Sequence, residues 1–131
     1  MKNTIYFTVL TCLAFLSCQK KDVDGFDSKN LNITISKPVE AQMFKKGDTI
    51  FIKGNIAYIS QLHGYSIKLS NKETKESYLD KEEHLHDSSF EINSFWVDTL
   101  SKNADLLLEI TVEADHDGHE QTKNISLISK P

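Results

Sequence analysis

From Leu31 onward the sequence alternates apolar and polar residues with a period of two, and nothing else in it constrains the fold as tightly. In "LNITIS", Leu31, Ile33 and Ile35 share one side of an extended chain and their polar neighbours take the other. Pro38 ends the run, "KKGD" (Lys45 to Asp48) turns the chain, and "TIFIKGNIAYI" follows as a second strand. A third runs through "HGYSIKLSN", with Tyr65, Ile67 and Leu69 on one face, and a shorter one through "ESYL". Phe90 to Val97, Leu106 to Ala114 and Thr122 to Ile128 complete the pattern.

About seven short strands with turns between them and no helical stretch predict an all-β fold, an immunoglobulin-like Greek-key β-sandwich. At 131 residues, 39% hydrophobic, the chain has enough apolar material for one core, which the alternation assigns to residues 31–131. Net charge is −4 and all fifteen basic residues are lysines. Without arginine there is no bidentate phosphate clamp, so no nucleic-acid partner is expected.

The chain before the domain has a different character. Lys2 precedes an apolar run from Ile5 to Leu16, about a dozen residues and too short to span a bilayer, and Ser17-Cys18 close it. This is a secretory signal covering residues 1–17. A small residue followed by cysteine at the end of such a run resembles the lipobox of bacterial lipoproteins, with Phe15 and Leu16 in its relaxed form. The resemblance implies that Cys18 is acylated, becomes the first residue and anchors the protein to a membrane. The other cysteine, Cys12, falls in the discarded segment, so the mature domain carries no disulfide. Residues 18–30, including "QKKDVDGFDSKN", are too poor in apolar residues to fold and read as a flexible tether. They also resemble the lysine-and-acid signal that sends some lipoproteins of Bacteroidota to the outer face of the outer membrane. The expected location is the cell envelope, at the outer membrane, on its periplasmic or its outer face.

The last two strands invite a register. Asp117-Gly118 favours a two-residue type I′ turn, which pairs His116 with His119, Val112 with Lys123, Ile110 with Ile125 and Leu108 with Leu127. That arrangement opposes the two histidine rings at chelating distance.

Three further histidines are His63, His84 and His86. An immunoglobulin-like trace gathers all five at one end of the sandwich. His84 and His86, as "HLH", would share a face through their i, i+2 spacing. His63, in phase with Tyr65 and Ile67, reads first as a packed edge residue and second as a ligand. Imidazole is a common ligand for zinc and suits copper(II) and nickel(II), with Asp87, Asp115, Asp117 and Glu120 available to complete or orient the shell. The expectation is a divalent transition-metal site, zinc or copper(II), made by His84, His86, His116, His119 and His63. Absence of thiolates disfavours copper(I). Glu113, Asp115, Asp117 and Gly118 imitate the start of a calcium loop, but Asn124 stands where its bidentate glutamate belongs.

No nucleophile elbow, surviving cysteine nucleophile or phosphate-cradling glycine loop is present in the sequence, and an enzyme is not expected. The competing expectation is a surface interaction module for a protein or glycan partner, using Tyr58, Tyr65, Tyr78 or Trp96, with the histidines incidental. The whole pattern, "ISKPVEAQMFKKGDTIFIKGNIAYISQLHGYSIKLSN" followed by "HLH" and "ITVEADHDGHEQTKNISLI", resembles the single-domain immunoglobulin-like lipoproteins of Bacteroidota across residues 31–128. That resemblance implies a metal-binding or surface-binding accessory role and no defined activity.

Overall fold

The structure is a computed structural model that describes residues 26–131; the expected signal peptide and Cys18 lie outside them. The described chain is all β. A 3₁₀ turn, Ser28–Asn30, leads into β1 (Asn32–Lys37), β2 (Gln42–Lys45), β3 (Thr49–Asn71), β4 (Ser77–Val97), β5 (Ala104–Glu113) and β6 (Glu120–Lys130). Among the described residues no helix is long and apolar enough to cross a membrane.

Two pairs of expected strands are fused. The second and third run on as β3, and "ESYL" continues through "HLH" to Val97 as β4. The reason is local: neither Tyr58 to Leu62 nor Asp80 to Ser89 contains a glycine or proline to break extended chain. The two long strands pair antiparallel with each other, from Thr49 with Val97 to Ser70 with Ser77. On the far side of β3, its first half carries β1 and its second half carries β5. β6 continues from β5, and β2 joins β6 in parallel, so the sheet is mixed.

Closure follows from chain length. β1 and β2 end the strand order β1-β3-β5-β6-β2, four spacings or roughly 19 Å apart in a flat sheet. Only residues 38–41 join them, in a turn where the Gln42 amide donates to the Val39 carbonyl at 3.2 Å. The sheet must therefore curl until its two ends meet. Inside the curl, Ile50, Ile52, Ile56, Leu62, Ile67, Leu69, Ile92, Leu106, Leu108, Ile110, Val112 and Leu127 are fully buried. Each contributes on the order of 1.5–3 kcal/mol by leaving water. In β3 the buried apolar side chains are even-numbered up to Leu62 and odd-numbered from Tyr65, so the strand changes phase between them.

Packing against the core also reaches further toward the N-terminus than the alternation indicates. Phe26, on the expected tether, packs against the core and lies 5.6 Å from the Tyr58 ring, and the Asp27 amide donates to the Tyr58 hydroxyl at 3.1 Å.

Candidate functional site

The change of phase in β3 builds the site. Ala57 pairs with Ser89 and Leu62 with Asp87, which leaves four residues of β3, Tyr58 to Gln61, against Ser88 alone. Next, Leu62 pairs with Asp87 and Gly64 with His84, which leaves His63 opposite two residues, Leu85 and His86. Extra residues of this kind bend a ribbon and re-aim the side chains beside them.

His84 and His86 are separated as a result. Their i, i+2 spacing places them on one face only in regular strand, and the bulge between them removes that condition. His86 packs edge-on against His63, with ring centroids 4.8 Å apart at 88°. His116, from the loop between β5 and β6, also packs on His63, with ring centroids 3.7 Å apart. Three distant segments thus meet at His63, the histidine the sequence marks first as a packing residue. Partial burial, then the His116 and His86 rings, hold the His63 imidazole below its ordinary value, against the opposing pull of Asp115 and Glu113.

The expected hairpin register is displaced by two residues. Val112 pairs with Gln121, Ile110 with Lys123, Leu108 with Ile125 and Leu106 with Leu127. The Ala114 amide donates to the His119 carbonyl at 2.8 Å, closing a four-residue loop, Asp115 to Gly118, in place of the two-residue turn. Asp115 organises that loop. One carboxylate oxygen accepts from the Asp117 amide at 2.9 Å and the His119 amide at 3.2 Å, and the other lies 2.7 Å from His119 Nδ1. Burial raises the Asp115 carboxyl, but the bonds from His119 and Asp117 outweigh it and hold it below the usual range. A side chain that satisfies the loop amides does the work that type I′ geometry would do. The shift of two keeps the apolar residues inward, which is why alternation alone did not distinguish the registers.

His116 and His119 are consequently not opposed. His119 is held by Asp115 and stacks on Phe26 at 5.8 Å and 24°. His84 turns to a different set: its Nε2 lies 2.8 Å from Glu82 Oε1, and Glu113 brings a third ligand atom within 4.8 Å of both. Of the five expected ligands, the structure gathers His63, His86 and His116 and gives His84 and His119 separate acidic partners.

Glu82 and Glu113 are the residues that sequence reasoning missed. Glu82 shares the phase of His84 and was legible in principle; Glu113 needed the correct register. Among the carboxylates named from sequence, Asp115 orients His119, whereas Asp87 accepts from the Ser88 amide at 2.6 Å. The aromatic candidates serve packing: Tyr65 is buried, Tyr78 stacks on Trp96 at 5.5 Å, and Tyr58 packs against the core. Among the described residues, Phe51 and Phe95 are the exposed phenylalanines, cross-strand partners on the outside of the β3–β4 ribbon.

No protein-family model matches the chain, and no curated protein matches it.

Proposed function

We propose that this protein is a lipid-anchored protein of the cell envelope, held at the outer membrane, whose domain binds a divalent transition metal, zinc or copper(II), without catalysing a reaction. The observation that carries this reading is the contact of His63 with His86 and His116, imidazoles from β3, β4 and the β5–β6 loop. A tetrahedral three-histidine zinc site, with Zn–N about 2.0–2.1 Å, spaces ring centroids roughly 5 Å apart. The His63 and His86 centroids, 4.8 Å apart, lie near that spacing, and His116, exposed on a loop, would swing outward from its 3.7 Å contact as the ring nitrogens turn toward one ion. An imidazole held below its ordinary value keeps its lone pair available at neutral pH, as a ligand must.

The immunoglobulin-like Greek-key sandwich belongs to the same proposal. The pairing supports it: β1, the first half of β3 and the second half of β4 form one set, and the first half of β4, the second half of β3, β5, β6 and β2 form the other.

The test is a thermal melt of the purified protein in zinc, copper(II), nickel(II) and chelator, beside His63→Ala/His116→Ala. Metal at a hundred times its Kd for this site should stabilise the wild type by about 2.7 kcal/mol, and the double variant should lack that increment. A wild-type melting temperature equal in all four conditions rejects the metal reading.

A second reading has an observation of its own. Phe51 and Phe95 are 49% and 62% exposed, directly opposite each other, with Val97 beside them at 39%. An apolar pair of this kind suits a protein or glycan partner, and it favours an anchored interaction module in which the histidines are incidental. Loss of partner capture in Phe51→Ser/Phe95→Ser, with metal response absent throughout, selects that module.

A further inference from the structure

His84, Gly64 and Glu113 form one row across three strands, since Gly64 pairs with His84 on one side and with Glu113 on the other. Residues directly opposite one another share a face. The next core-facing row is Tyr65, Glu83 and Val112, with Tyr65 and Val112 buried, so the His84 row points outward, to the other side of the sheet. One row further along the same outer face stand Glu82, Ser66 and Thr111.

The middle position of each row is small. Gly64 has no side chain and is itself buried, so His84 and Glu113 reach toward each other above it. A β-carbon at Gly64 would strike the Glu83 carbonyl oxygen, which fixes how closely β3 and β4 approach there. The result is a shallow trough floored by Gly64 and Ser66, with Glu82 and His84 on one wall and Glu113 on the other. Glu120 extends the row beyond Glu113. These two rows hold three glutamates and a histidine and no lysine; Lys81, the nearest cation in sequence, points with the core-facing phase and is paired to Glu83 at 2.8 Å.

We propose that Glu82, His84 and Glu113 form a second divalent-cation site, on the outer face of the sheet and separate from the three-imidazole cluster. One imidazole nitrogen and two carboxylate oxygens make a ligand set suited to zinc and similar borderline ions, with the remaining positions open to water. Two carboxylates and a neutral ring carry the charge that a divalent ion cancels, and without an ion the like-charged pair repels across the trough. The geometry needs little change. Ligand atoms about 2.1 Å from one ion lie at most roughly 4.2 Å apart, and the widest separation here is no more than 4.8 Å. The ion replaces the His84–Glu82 hydrogen bond, and the exposed side chains close the rest by rotation. The bulge at Leu85-His86 therefore divides "HLH" between two sites, an all-imidazole one and a mixed one.

The experiment counts ions on the purified protein by native mass spectrometry during zinc titration. Wild type, Glu82→Gln/Glu113→Gln, His84→Gln and His63→Ala/His116→Ala are compared, each melted in chelator to establish that it folds. The expected result is two zinc ions on wild type and one on each variant, with the lost step weakened at least tenfold. One ion on wild type that survives His63→Ala/His116→Ala and disappears in the other two variants upholds the outer site and removes the imidazole reading. The proposal is overturned if Glu82→Gln/Glu113→Gln and His84→Gln both hold as many ions as wild type, or if wild type holds none.

Discussion

His63, on β3, and His116, on the β5–β6 loop, lie with ring centroids 3.7 Å apart. Their proximity has a consequence for pH. Burial and the two neighbouring imidazoles lower the His63 value beneath the 6.5 of an ordinary histidine, so between those two values the unfolded chain binds the proton and the folded chain does not. Stability then rises with pH across that window. It is complete above about 6.5 and is lost as pH falls through 6.5 toward the folded value. Urea unfolding in chelator at pH 8, 7, 6 and 5 should show this loss in wild type and a flatter profile in His63→Gln. Equal slopes in the two proteins would mean that His63 is not responsible.

Gly118 closes the loop that Asp115 organises. Its φ of +86° lies in the left-handed region, and open space surrounds the position where a β-carbon would stand. Substitution there tests backbone conformation alone. Gly118→Val should cost about 1–2 kcal/mol in denaturant unfolding, because a β-branched residue resists positive φ. Gly118→Asn should cost much less, since asparagine tolerates that region. Equal effects of the two substitutions would show that the loop is not held in this conformation.

The sequence exposed different parts of the structure to different degrees. Alternation marked Leu31, Tyr65, Ile67, Leu69, Leu108, Ile110, Val112, Ile125 and Leu127 as inward, and all are buried, while Ile33 and Ile35 are partly buried, because a half-buried strand writes its orientation into every second residue. The fusion of strands into β3 and β4 was partly legible in the missing glycines and prolines. The hairpin register was not, since a shift of two leaves inward residues inward and only the Asp115 carboxylate decides between loops. The site depended on what pattern reading misses: a bulge at Leu85-His86 that sends adjacent histidines to different partners, and a glycine row that brings Glu113 to His84.

The anchor is tested independently of the domain. Cys18→Ser should abolish fatty-acid labelling and release the protein from the membrane fraction, because a polar tether has no membrane affinity without its lipid. Labelling that persists in this variant rejects acylation at Cys18. Phe26 packs beside His119, and residues 18 to 26 can span at most roughly 28 Å. A lipid on Cys18 would therefore hold the histidine-bearing end within that distance of the acylated residue.

Gly64→Ala separates the two metal sites by structure. The added methyl meets the Glu83 carbonyl, a backbone atom that cannot rotate aside, so β4 must shift away from β3 at the row joining His84 to Glu113. Overpacking of this kind costs typically about 1–3 kcal/mol, which urea unfolding in chelator measures directly. The same shift widens the trough between His84 and Glu113, while His116 approaches His63 from the β5–β6 loop. Zinc binding at the outer site should weaken at least tenfold, and the zinc-induced rise in melting temperature that depends on His63 and His116 should persist in reduced form. A Gly64→Ala protein with wild-type stability would show that β3 and β4 do not approach as closely as the row requires, and wild-type binding at the outer site would show that the glycine is not what lets His84 and Glu113 meet.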